Sequence, residues 1–361
     1  MAQQIFGNPS LKFNNEIPSG KTVWTSPSNI ALIKYWGKKP VQIPMNPSIS
    51  LTLKKSVTTT SIEFQPATNG FDLTFYFENQ RNEVFEDKTK KFFLSLTALF
   101  PFIEQLQFKI HSSNSFPHSA GIASSASGMS ALALGLCDIE KTYFNTLDEK
   151  SFYQKASYVA RLGSGSACRS VYGGVVLWGK DDLVPNSSDL YGTPVNQLIH
   201  PEFLHFQDTI LLVDAGQKKV SSRAGHALME TNPFAQTRFA QARQHLKELM
   251  SILKHGDLDR FIQLVELEAL TLHAMMMTSS PYYLLLKPNT LAILDKIFQF
   301  RNETKTPVCF TLDAGPNVHL LYPENEKQIV RQFIESELKK HINENGLIHD
   351  QVGDGPKKIE K

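Results

Sequence analysis

Asp313 stands in "TLDAGPNVHL", where a strand-like run meets a Gly-Pro-Asn turn. A carboxylate there can face a cleft and serve as a base or as an electrostatic stabiliser. Arg169 stands in "RLGSGSACRSVYGG", between two Gly-Ser pairs and a Gly-Gly. So tight and backbone-exposing a turn leaves an arginine free to fork onto a carboxylate or a phosphate. Lys34, Tyr35 and Lys38 close the apolar run "NIALIKYWGKK", and two ammonium groups with a phenol can grip a polyanion. Ser222 and Arg223 in "KKVSSRAG" repeat the theme of hydroxyl beside guanidinium. The fourth stretch, "FPHSAGIASSASG", carries very little side chain and runs straight into the helical "MSALALGL". Small residues at a strand-to-helix junction let an anion approach backbone N–H groups and the positive helix end, and Ser124, Ser125 and Ser127 add hydroxyls suited to phosphate or Mg²⁺. Its spacing is neither the Walker pattern nor the Rossmann fingerprint. Each stretch also has a structural alternative: a turn aspartate, a surface arginine in a glycine loop, a solvated strand end, a small-residue helix start packed on a sheet.

These residues need elements to hold them. From "TVWTSPSNIALIKYW" to "SISLTLKKSVTTTSIEF" and "FDLTFYFENQ" the chain is β-branched and partly alternating, which predicts strands. "DKTKKFFLSLTALFPFIE" has helical spacing at Phe92, Leu96 and Leu99, and a strand "LQFKIHSS" follows. Helices are expected over "SGMSALALGLCDIEKTYF" and from "LDEKSFYQ" to Gly163, then a strand at "VYGGVVLWG" and a boundary near residues 195–205. Beyond it come a strand "DTILLVDAG", long helices at 232–254 and about 257–278, a third at "NTLAILDKIFQFRNE", the strand-turn-strand around Asp313, and a last helix "EKQIVRQFIESELKKH". No βαβ rhythm repeats, so α+β layers are expected rather than a doubly wound parallel sheet.

A length of 361 residues suits two domains, and 41% apolar with 20% charged residues excludes disorder as the default. Net charge is +2 with no basic stripe, which argues against a nucleic-acid partner. No apolar run reaches the roughly 20 residues of a membrane span, and the polar N-terminus is unlike a secretory leader, so a cytoplasmic location without membrane contact is expected. Cys137, Cys168 and Cys309 form no metal-binding spacing and are expected as buried free thiols.

Together "NIALIKYWGKK", "FPHSAGIASSASG", "RLGSGSACRSVYGG" and "LDAGPN" resemble the signature segments of the diphosphomevalonate decarboxylases, within the GHMP kinase superfamily; "SSRAG" and "QVGDGP" fit as well. The small-residue loop alone would indicate only the superfamily. The resemblance implies a two-domain α+β GHMP kinase fold: a flexible lead-in at 1–20, a nucleotide-binding α/β domain of ribosomal-protein type at 21–200, and a ferredoxin-like α+β domain at 201–361. It implies ATP with Mg²⁺ as cofactors, mevalonate 5-diphosphate as substrate, and a homodimer. The 3-hydroxyl is phosphorylated, then phosphate and CO₂ leave to give isopentenyl diphosphate. Asp313, Arg169 and Lys34 are then expected to be catalytic. Tyr35, Lys38, Ser166, Ser222 and Arg223 would anchor the substrate. Ser112, Asn114, Gly121, Ala123, Ser124 and Ser125 would hold ATP, with Ser124 also on the metal. Pro40 and Pro47 depart from the pattern beside Lys38, and "LHAMMMTSSPYY" keeps His273-Ala274 with extra methionines. A 5-monophosphate substrate, a 3-kinase that does not decarboxylate, and a silent nucleotide-binding protein stand as alternatives.

Overall fold

The computed structural model describes residues 6–117, 122–214, 216 and 222–360. Strand β1 (Gly20–Ala31) pairs antiparallel with the long β2 (Ser48–Pro66), and the register slips between Pro27 and Asn29. From Ser56 to Phe64, β2 alternates buried and half-exposed positions, as one covered sheet face requires. Its first six residues are buried on both faces, because the second half of the molecule packs there. Strand β3 (Asp72–Phe77) runs parallel to β4 (Leu106–Asn114), which is antiparallel to β2, and β5 (Val175–Trp178) pairs with the start of β2.

Helix α1 (Glu83–Ser95) precedes β4, while α2 (Ser124–Phe144) and α3 (Glu149–Gly163) cover the sheet. α2 lies close because Gly135 faces Ile62: a Cβ there would come within 2.6 Å of Ile62 Cδ1. Ahead of β1, Leu11 is buried and Phe6 stacks on Tyr158 at 4.8 Å, so these residues are packed against the core. The second sheet is wholly antiparallel, in the order β7-β8-β6-β9, built from β6 (Gln207–Leu211), β7 (Cys309–Leu312), β8 (Val318–Tyr322) and β9 (Leu347–Gln351). Helices α4 (Ala235–His255), α5 (Leu258–Met277) and α6 (Pro288–Thr304) accompany it. Ile30, Leu51 and Leu53 of the first sheet share one core with Leu246, Leu249, Phe261 and Val265 of α4 and α5. A site at that junction is therefore held from both sides.

Two expectations change. The helix expected from Asp87 onward begins earlier, where the Asn82 side chain accepts from Phe85 N–H, and stops at Ser95; Leu96 and Leu99 stay buried, and Pro101 opens a separate 3₁₀ turn. The last helix is α-helical only over Lys327–Phe333 and passes through a wider turn at Ile334–Leu338. The segment after it forms strands: β9, and β10 (Lys357–Lys358), which returns to pair with Trp24 and Thr25 of β1. "QVGDGP" is the thread between them. Gly174 N–H donates to Gly353 O and Gly353 N–H to Thr52 O, both at 2.9 Å, and a Cβ on Gly173 would collide with the backbone of Asp354. All three cysteines are buried and free.

Candidate active site

Lys34 lies just past the end of β1 and is almost wholly buried. Its Nζ donates to Asp313 Oδ1 at 2.9 Å. Burial drives the ammonium pKa below its ordinary value, and the neighbouring Asp313 carboxylate opposes that shift. Asp313 directly follows β7, its side chain 30% exposed, so the pair has one buried and one open member. The main-chain carbonyl of Asp313 meets His273 Nε2 at 3.1 Å. Burial lowers the His273 pKa to about 4, leaving a neutral ring whose Nε2–H is the donor.

Arg169 follows a 3₁₀ turn, Gly165–Cys168, and is 2% exposed. Nε and Nη2 donate to Asn29 Oδ1 at 3.2 and 3.1 Å, and Nη1 donates to Ser48 Oγ. Among the described residues its hydrogen-bond partners are thus uncharged. A desolvated guanidinium with neutral partners and donors to spare is a receptor for an anion. The Tyr35 ring lies 5.7 Å from the guanidinium, meets Trp178 edge-on, and stacks on His226 at 4.8 Å. Burial raises the Tyr35 pKa to about 12, against the pull of Arg169 and a hydrogen bond with Ser166, so the phenol keeps its proton. Lys38 Nζ sits 5.8 Å from the same ring.

Across the cleft, Ala123 adopts a left-handed conformation (φ 42°) and α2 starts at Ser124. Ser28 Oγ donates to Ile122 O at 2.6 Å, fixing the loop to β1. Thr58 Oγ1 bonds Ser127 Oγ at 2.6 Å and Asn114 Oδ1 at 2.7 Å, and Thr60 Oγ1 bonds Ser112 Oγ at 3.0 Å. Among the described residues the buried Asn114 Nδ2 has no hydrogen-bond partner, and Asn114 lines the cavity.

One cleft of about 610 Å³ joins these parts. Lys34, Tyr35, Lys38, Ser166, Arg169 and Asp313 line it together with Ser112, Asn114, Ala123, Ser124 and Ser125 and with the apolar Phe77, Phe85 and Met129. Gly121 lies outside the described residues. Ser222 and Arg223 open the short helix Ser222–Ala227, but their side chains lie outside the description. The metal expectation fits the donor set. Ser124 and Ser125 put hydroxyl oxygens on the cleft wall, a donor set that suits Mg²⁺ held mainly through phosphates, waters and a hydroxyl.

Several participants escape sequence reasoning. Asn29 and Ser48 orient Arg169; His226 is wedged between Tyr35 and Trp36 and accepts from Gly37 N–H at 2.9 Å. Glu268 was detectable: it falls three residues after Val265 and four before Leu272, on the buried face of α5, where an unpaired carboxylate would be costly.

Comparison with known proteins agrees over nearly the whole chain. Residues 26–189 match the diphosphomevalonate decarboxylase-like N-terminal domain, and residues 209–354 match the mevalonate 5-diphosphate decarboxylase C-terminal domain. Diphosphomevalonate decarboxylase of Candida albicans is 32% identical over 328 residues, covering 86% of each chain. MDDEF in complex with MVAPP, AMPPCP and magnesium superposes with a TM-score of 0.80 at 30% identity, over 95% of this chain and all of that one. The mevalonate diphosphate decarboxylase from Enterococcus faecalis, in a structure addressing mevalonate diphosphate mediated ATP binding, gives 0.79 at 27% identity, with coverage of 95% and 100%. The fold and both sequence halves agree, and the chain belongs to the diphosphomevalonate decarboxylase family.

Proposed function

We propose that the chain uses ATP to decarboxylate mevalonate 5-diphosphate, releasing isopentenyl diphosphate, ADP, phosphate and CO₂. The observation that carries this reading is the sharing of one cleft by a Lys34–Asp313 pair and a buried Arg169 whose partners are uncharged. A kinase needs the first; an aligned carboxylate leaving group needs the second as well.

Asp313, the open member of the pair, orients the substrate C3 hydroxyl and accepts its proton as the oxygen attacks the γ-phosphorus. Lys34 offsets negative charge gathering at that oxygen. Ser124, Ser125 and the N–H groups at the start of α2 would hold the phosphates, Ser124 would reach the Mg²⁺ that accompanies ATP, and Asn114 Nδ2 would take an acceptor of the nucleotide. The metal supplies charge neutralisation across the phosphates. Arg169 grips the C1 carboxylate with its remaining donors. The C3–O bond then breaks with phosphate, the C1–C2 bond breaks with CO₂, and that electron pair becomes the C2–C3 double bond. Asp313, through its exposed side, releases the hydroxyl proton to solvent, and its carboxylate then stabilises the positive charge growing on C3. Tyr35, Ser166, Lys38, Ser222 and Arg223 are assigned to anchoring the substrate.

The reading includes a cytoplasmic homodimer of two-domain chains divided near residue 200; light scattering tests the assembly. Among the described residues no helix is long and apolar enough to cross a membrane. The experiment for the substrate compares kcat/KM for mevalonate, its 5-phosphate and its 5-diphosphate with ATP and Mg²⁺. Losing two charge-assisted contacts of about 1.5–3 kcal/mol each lowers the constant by about 10²-fold or more for the shorter substrates. A clear preference for the monophosphate would reassign the pocket beside Pro40 and Pro47.

A further inference from the structure

Behind Lys34, away from the cleft, two charged side chains grip its main chain. The Lys34 N–H donates to Glu268 Oε2 at 2.9 Å, and the Lys34 carbonyl accepts from Arg238 Nη2 at 3.0 Å. Arg238 and Glu268 are paired through both terminal guanidinium nitrogens, Nη1 and Nη2, at 2.7 and 2.5 Å, with Glu268 fully buried and Arg238 nearly so. His245 Nδ1 meets the same carboxylate at 2.5 Å, and Asn46 Nδ2 adds a bond to the Lys34 carbonyl at 3.2 Å. Burial disfavours the Glu268 anion, yet these donors outweigh it and hold the carboxyl below its ordinary pKa.

Of the bonds that hold the pair's main chain, which include Arg238 and Asn46 on the Lys34 carbonyl and Gly315 N–H on the Asp313 carbonyl, one to each member starts from the same helix. Glu268 and His273 lie five residues apart on α5; Glu268 holds the Lys34 N–H, and His273 Nε2–H holds the Asp313 carbonyl. Lys34 belongs to the first half of the fold and Asp313 to the second, and no covalent geometry relates them. We propose that α5 is the gauge that sets the Lys34–Asp313 separation, with Glu268, backed by Arg238, and His273 as positioning residues. A helix is a stiff choice for this task, since two sites one and a half turns apart stay fixed without help from either sheet. The buried ion pair fits the same role. As a source of stability it is poor, because desolvation offsets its attraction, but it fixes where the Lys34 peptide must lie.

The inference rests on the assignment of Lys34 and Asp313 above, and its test separates the two. Three variants are compared with wild type: His273→Leu, His273→Gln, and the double variant Arg238→Leu with Glu268→Leu, which removes both charges together and leaves neither stranded. The crystal structure of each is solved, and kcat, KM and melting temperature are measured with mevalonate 5-diphosphate, ATP and Mg²⁺. The expected result is a Lys34 Nζ–Asp313 separation beyond hydrogen-bond reach in the leucine variants. Their kcat should fall by about 10²-fold, the scale of an ångström's misplacement, with KM for ATP within about threefold. His273→Gln, which keeps a donor near the Nε2 position, should recover most of kcat. Leucine variants that keep the 2.9 Å contact, or a glutamine variant as impaired as the leucine one, would overturn the proposal. Should wild type not turn over at all, the structures still decide the gauge, and the functional assignment alone is lost.

Discussion

At the scale of residues, the account rests on how few groups face the cleft with charge. Asp313→Asn keeps the shape but removes the base, so turnover should drop by at least about 10²-fold while nucleotide affinity stays within a few fold; steady-state kinetics and a nucleotide titration check both. Arg169 commits Nε and one N–H from each terminal nitrogen to Asn29 and Ser48, leaving two N–H groups for a carboxylate. Arg169→Lys cannot fill both roles, so activity should be lost while the melting temperature changes by only a few degrees. An active but unstable variant would make Arg169 a brace for its loop. Lys34, Arg169 and Asp313 were legible because each stands in a stretch whose residue types suit one chemical task. Their orienting partners were not. Asn29 and Ser48 are ordinary strand residues, and only the pairing of β1, β2 and the Arg169 turn brings them to one guanidinium.

At the scale of elements, one prediction concerns the strut between the sheets. Asp350 of β9 accepts from the N–H groups of Lys54, Lys55 and Ser56, where β2 breaks its pairing between the two halves. Asp350→Ala leaves these donors without that acceptor, at a cost of about 3 kcal/mol or more, which urea unfolding would register. Strands and long helices were readable from periodicity, since β2 alternates and α4 and α5 show one apolar face each. The hairpin Lys38–Lys39 with Ile43–Pro44 was not: its turn places Val41 and Gln42 at φ 56° and 60°, a conformation a β-branched residue rarely adopts. β10 was hidden for another reason. Two residues carry no period, and their partner is more than 300 positions away in sequence.

At the scale of the whole molecule, the two halves share a core and a cleft, so stability and catalysis are linked through the same buried groups. His273 is neutral in the folded state with a pKa of about 4, against 6.5 when unfolded. Below pH 6.5 the unfolded chain binds the extra proton, so this stabilisation is complete above 6.5 and is lost as pH falls toward 4, by about 3 kcal/mol. Burial shifts His226 the same way. Unfolding free energies at pH 7 and pH 4.5 should therefore differ less in His273→Gln than in wild type; an unchanged difference would remove His273 from the acid limb. The central claim is that one cleft couples phosphoryl transfer to the loss of a carboxylate. Its most direct measurement is the yield of CO₂ per ADP in a single turnover with mevalonate 5-diphosphate, ATP and Mg²⁺. The account predicts one CO₂ for each ADP; ADP formed without CO₂ would contradict it and leave the chain a kinase.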